Sequence, residues 1–176
     1  LEQIQGALAS AAPPSVTVEG GGGGGAAARL HPSLYSLVEF LLHQLVAGTL
    51  LSALPECPEG VDPNGGVLVF LPGVAEIQEC LKALKRGGLG AEAGLQLLPL
   101  HSLQEAEEQN ASLAKPRGGM RKVILATNIA ESSITVPDVS VVVDFGLEKL
   151  PFFNARANTD ALLLRRCSVA SATQRA

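Results

Sequence analysis

Apolar residues fall along this chain in two different rhythms. From Ser33 to Ala47, the residues Leu34, Leu37, Val38, Leu41, Leu42 and Leu45 recur at the spacing of one helix face. Pro32 precedes that stretch and Ser33 stands where an N-cap is wanted. His43 falls on the polar side, so it reads as exposed. Further along, the rhythm changes to apolar runs at Val67–Leu71, Leu95–Leu100, Val123–Ala126 and Val139–Val143, interrupted only by Gln96 and Ser140. Runs of this length, rich in Val, Ile and Leu, read as strands buried on both faces, which is the pattern of a parallel sheet.

Helical stretches join the first three of these strands. After Pro72 and Gly73, one face carries Ile77, Cys80, Leu81 and Leu84, and Lys82, Lys85 and Arg86 stand toward the C-terminus, where cations suit the helix dipole. Gln104–Ala114 reads as a second helix with acids in its first turns. Strand and helix in alternation predict an α/β fold, with a mainly parallel sheet covered by helices on both faces. The loop from Gly48 to Gly66 holds Pro55, Pro58 and Pro63. Leu150–Asp160 reads as irregular, and Ala161–Leu164 as a further strand running toward Arg165 and Arg166. Ser171 and Gln174 have capping-box spacing, so a helix is expected to begin there.

Composition sharpens this picture at the start of the chain. Residues 1–29 hold a Pro pair at Pro13, six glycines from Gly20 to Gly25 and three alanines from Ala26. Such a stretch buries too little apolar surface to offset its ordering entropy, so it reads as a disordered, low-complexity linker. The glycine run is not a phosphate loop, since no buried strand precedes it and no GKS or GKT follows. Residues 30–176 then form one domain. No apolar run reaches membrane-spanning length, and Cys57, Cys80 and Cys167 lack metal-ligand spacing. Reduced thiols and an intracellular setting, cytoplasm or nucleus, are the expectation.

Charge is unevenly placed. The net charge is −4, yet Leu1–Leu81 carries one base against eight acids, whereas Lys82 onward carries twelve bases against nine acids. The basic balance therefore accompanies the half of the chain in which the polar inserts follow strands, as a phosphate partner would require.

The most particular insert is ATNIAESSIT, Ala126–Thr135, followed by VPDVSVVVDFG. Together they resemble motif V of the DEAH-box and RNA helicase A-like group of superfamily 2 helicases. VLVFLPGVAEIQ from Val67 resembles motif IV of the same group, and LQLLPLHSL from Leu95 its segment between motifs IV and V. SATQRA, ending the sequence, resembles the opening of motif VI. Neither GxxxxGKS/T nor DExH occurs. The resemblance thus implies a second RecA-like domain, of three-layer α/β/α build, incomplete within motif VI.

The resemblance also implies roles. Gly73, Ser102, Thr127 and Asn128 would hold the backbone of single-stranded RNA. Ser133, Thr135 and Asp138 would lie on the nucleotide side, with Gln174 catalytic, beside the terminal phosphate and the attacking water. Leu113 stands about where the group places a phenylalanine that stacks on adenine, so stacking is expected to be weaker. Pro137 stands where many relatives have an acid, which leaves Asp138 as the nearby carboxylate. ATP with Mg would be the nucleotide, its site completed by a first RecA-like domain, and no metal ligand is assigned to this chain. RNA, that first domain and further C-terminal domains of the same protein are the implied partners. Two other readings remain open: a non-catalytic helicase-like binding or scaffold module, and an unrelated doubly wound nucleotide-binding domain.

Overall fold

A computed structural model describes residues 30–50, 62, 64–132, 136, 138–154 and 158–175. The expected linker, most of the proline-bearing loop, Cys57, Ser133, Thr135 and Pro137 lie outside the described residues. Helix α1 is Pro32–Val46, β1 Gly66–Phe70, α2 Val74–Arg86, β2 Leu95–Leu100, α3 Ala106–Leu113 and β3 Arg121–Ala126. There follow α4 Ile129–Ser132, β4 Val139–Asp144, β5 Leu147–Asn154, β6 Thr159–Arg166 and α5 Val169–Arg175.

All three pairings in the main sheet are parallel, in the order β2-β3-β1-β4. Val67 pairs with Val123 on one side and Val141 on the other. Pairing runs one residue past β1, since the Leu71 amide donates to the Ala126 carbonyl at 2.8 Å.

The unbroken apolar runs divide between two faces by their alternation. Val67, Val69, Val123 and Leu125 enter a core with Val38, Leu42 and Leu45 of α1 and Ile77, Cys80 and Leu84 of α2. Leu68, Phe70, Ile124 and Ala126 point the other way, where Leu113 of α3 and Ile129 and Ala130 of α4 pack against them. Helices therefore cover both faces. Each wholly buried aliphatic side chain is worth about 1.5–3 kcal/mol of burial, so this two-sided sheet is the principal source of stability.

Local details depart from the sequence reading in four places. The first helix is capped by His31, whose ring accepts from the Ser33 amide at 3.3 Å, so the cap lies two residues before the serine expected to supply it. The helix expected over Gln104–Ala114 is shorter, and the Gln104 side chain instead accepts from the His101 amide at 2.9 Å. The stretch from Leu150, expected to be irregular, is half of an antiparallel hairpin in which Leu147 pairs with Arg166 and Asn154 with Thr159. Pro151, Phe152 and Phe153 broke the apolar alternation there, and backbone pairing to β6 overrides it. Finally, the last helix starts earlier than the capping-box spacing implied, because the Ser168 hydroxyl accepts from the Ser171 amide at 3.0 Å.

Candidate nucleic-acid interface

Parallel strands all end on one edge, and that edge collects the polar residues. Ser102 follows β2, Thr127 and Asn128 follow β3, and Gly73 follows β1. Since β2, β3 and β1 are neighbours in that order, these residues form a row about 10 Å long at the usual strand spacing of ~4.8 Å. The row is anchored by main-chain bonds. Thr127 donates its amide to the Leu100 carbonyl at 3.1 Å, while the Thr127 and Asn128 carbonyls accept from Ala130 and Glu131 at 3.2 and 3.0 Å. Asn128 and Ser102 are exposed and Thr127 is buried.

Gly73 has an extended backbone that any residue adopts, so its smallness must serve something else. A Cβ there would meet the Glu76 Oε2 atom at 2.8 Å and the Lys149 Cδ atom at 3.2 Å. Those two side chains form an ion pair, the Lys149 ammonium donating to both Glu76 oxygens at 2.7 and 2.8 Å with Glu76 only 2% exposed. The pair ties the β5–β6 hairpin to the first turn of α2, directly beside the row.

The final helix is locked to the same edge. Arg175 is 4% exposed and donates through Nε to Glu131 at 3.0 Å and through Nη1 to Asp144 at 3.2 Å. Its guanidinium carbon lies 4.9 Å from the centre of the Phe70 ring. Burial acts to lower its pKa, but the hydrogen bond it donates to Glu131 and the charge of Asp144 prevail, and the net shift is upward. Arg175 thus joins the helix that carries Gln174 to the segment after β3, the end of β4 and the end of β1. Gln174 itself is exposed.

Of the other expected nucleotide-side residues, Asp138 and Leu113 are described, and both lie away from the row. Asp138 precedes β4, at the edge where strands begin, and its carbonyl accepts from the Gly66 amide. A strand length of roughly 17 Å separates that edge from Thr127. Leu113 is half-buried and spends part of its surface against the second core cluster. Sequence reasoning missed Glu76, Lys149, Glu131 and Asp144, whose pairings bridge residues far apart in the chain and leave no spacing signal.

With this geometry in view, comparison with known proteins is informative. The helicase conserved C-terminal domain family matches residues 49–175, and the chain belongs to it. Within that family it is a DEAH-type superfamily 2 domain. It is 47% identical over 112 residues to the zebrafish (Danio rerio) ATP-dependent RNA helicase TDRD9, covering 64% of this chain and 8% of that protein. It is 37% identical over 126 residues to the human (Homo sapiens) ATP-dependent RNA helicase DHX29, covering 72% and 9%. Among solved structures, the E. coli DExH-box NTPase HrpB matches with a TM-score of 0.62 and 32% identity, over 86% of this chain and 16% of that one. The chain therefore spans less than a tenth of the curated relatives it resembles. No helix among the described residues is long and apolar enough to cross a membrane.

Proposed function

We propose that this domain grips the sugar-phosphate backbone of single-stranded RNA along the row Ser102, Thr127, Asn128 and Gly73. In a protein that also carries a first RecA-like domain, it would couple ATP hydrolysis to movement along that RNA or to unwinding. The observation that supports this most is the placing of three polar side chains, after two neighbouring strands, and Gly73 after a third on one edge, beside the helix that bears Gln174. Hydroxyls, amides and main-chain groups hold phosphate and ribose without reading bases, and they release as readily.

ATP enters this reading as substrate, held between the two domains in an intracellular protein of the cytoplasm or nucleus. Gln174, exposed and on a helix pinned by Arg175, would orient the attacking water. Ser133, Thr135 and Leu113 would contact the nucleotide, whereas Asp138, at the edge where strands begin, is withdrawn from that set. Magnesium would accompany the nucleotide, bridging its phosphates. Its carboxylate would come from the first domain.

The test is binding of several unrelated single-stranded RNAs to the two-domain protein. Thr127→Ala with Asn128→Ala is expected to weaken all of them alike. Unchanged affinity in a folded variant removes these residues from the interface and favours a scaffold module.

A further inference from the structure

At the opposite edge of the sheet, where strands begin, lies a recess of about 540 Å³ lined in part by Gly65, Gly66, Arg121, Lys122, Asp138 and Ser140. Three polar atoms in it are buried with no hydrogen-bond partner: the Lys122 ammonium, Nη2 of Arg121 and the Ser140 hydroxyl. Lys122 is 1% exposed, the most buried charged residue described. Arg121 is held in place by its own Nε, which donates to the Gly65 carbonyl at 2.7 Å.

We propose that this recess is a binding site for a phosphate group, with Lys122, Arg121 and Ser140 as its donors. The reasoning is one of complementarity. An ammonium and a guanidinium have donors only, and a buried donor left unmade costs stability, so the ligand must bring several acceptors and negative charge. Phosphate brings both, and charge-assisted bonds to Lys and Arg are the strong ones. The glycines make room: a Cβ on Gly65 would meet the Ser140 Oγ at 2.7 Å, and one on Gly66 would meet the Lys122 Cγ at 2.9 Å. Asp62 and Asp138 also line the recess and act on the two cations through space, with no direct ion pair to either. Burial lowers the pKa of Lys122, opposed by the charge of Asp138, and a bound anion would restore what burial removes.

This site is separate from the RNA row, which lies a strand length away, so either proposal can fail without the other. Inorganic phosphate, adenosine monophosphate and adenosine are titrated into the chain while the amide resonances of Gly65, Gly66, Gly73 and Thr127 are followed. Both phosphate-bearing probes are expected to saturate and to move Gly65 and Gly66 but not Gly73 or Thr127, with adenosine inert. Tighter binding of the nucleotide by tenfold or more assigns the site to a nucleotide phosphate; the reverse order assigns it to free phosphate. Lys122→Met is expected to weaken both probes at least tenfold, whereas Lys85→Met, on the exposed end of α2, leaves them within twofold. If Lys122→Met does not fold, Ser140→Ala replaces it, with at least a threefold loss expected. The proposal is overturned if neither phosphate-bearing probe moves Gly65 and Gly66, if adenosine binds as well as its monophosphate, or if the recess variants bind as the parent does.

Discussion

Arg175 donates to Glu131 at 3.0 Å across forty-four residues of sequence, joining the last helix to the segment that follows β3. Both side chains are largely withdrawn from water, Arg175 at 1% and Glu131 at 12% exposure, and Asp144 takes a second guanidinium nitrogen. Gln174, one residue away, is therefore fixed to the segment after β3 by a rigid planar fork.

Breaking that fork should be costly. Arg175→Met leaves Glu131 and Asp144 facing one another without a cation and is expected to lower stability by about 3 kcal/mol. Glu131→Gln keeps the Asp144 bond and should lose about 1.5–3 kcal/mol. Urea unfolding followed by circular dichroism reads both. An unchanged midpoint in Arg175→Met would show that the network contributes nothing to the fold.

The Glu76–Lys149 pair explains why residue 73 is a glycine, and it makes a conditional prediction. Gly73→Ala should destabilise by about 1–3 kcal/mol through its clash with that pair. Lys149→Met, leaving the Glu76 carboxylate buried and alone, should lose about 3–5 kcal/mol. In a Glu76→Ala background the cost of Gly73→Ala should largely vanish. If it persists undiminished, glycine is required at 73 for some other reason.

Cys80 predicts a response to alkali. Burial pushes its thiol from 9.0 up to about 12. The unfolded thiol ionises near its ordinary value while the folded one stays protonated, so this contribution is intact below pH ~9 and is lost as pH rises toward 12, at about 1.4 kcal/mol per unit. Cys80→Ala removes the dependence. The stability gap between parent and variant should therefore narrow by about 1 kcal/mol from pH 9 to 10; a constant gap would contradict the buried, protonated thiol. At pH 8 the native thiol should also resist a disulfide-exchange reagent that unfolding exposes it to.

Catalysis supplies the fourth expectation. The 176-residue chain by itself should release no phosphate from ATP, because phosphoryl transfer needs a phosphate cradle, a metal carboxylate and cationic stabilisation held together. In a protein that also carries a first RecA-like domain, Gln174→Ala should lower turnover by more than it weakens ATP binding. Steady-state phosphate release with RNA present measures the first quantity, and nucleotide titration the second. Equal losses in both would make Gln174 a binding residue only.

Sequence alone revealed the sheet because its strands are rich in Val, Ile and Leu, and the two inner ones, buried throughout, carry the unbroken runs Val67–Leu71 and Val123–Ala126. Val67 and Val123 announced themselves in this way, and the polar residues after the second of them marked the edge proposed to hold RNA. The hairpin was only half legible: Ala161–Leu164 read as a strand and lies in β6, but β5 and the pairing of the two did not show. Its strands carry Phe152, Phe153, Leu162 and Leu163 exposed among charged neighbours, so no period-two pattern survives. The phosphate recess was equally hidden, since Lys122 in the sequence is one more basic residue at the start of a strand. Only the pairing of Gly66 with Val139, and the crossing of chain that brings Asp138 there, encloses its ammonium.

The strand order has a consequence for how the chain is made on the ribosome. The central strand, Gly66–Phe70, is synthesised before both of its neighbours, Arg121–Ala126 and Val139–Asp144. At typical elongation of ~5–20 residues per second, Val67 waits several seconds for Val123 and longer for Val141. Throughout that interval VLVFL is a fully apolar segment with both hydrogen-bonding edges vacant, and helices α1 and α2 can shelter only one of its faces. A nascent chain paused before Arg121 is thus a natural substrate for holding chaperones, and slow codons in that interval should lower soluble yield more than slow codons after Asp144.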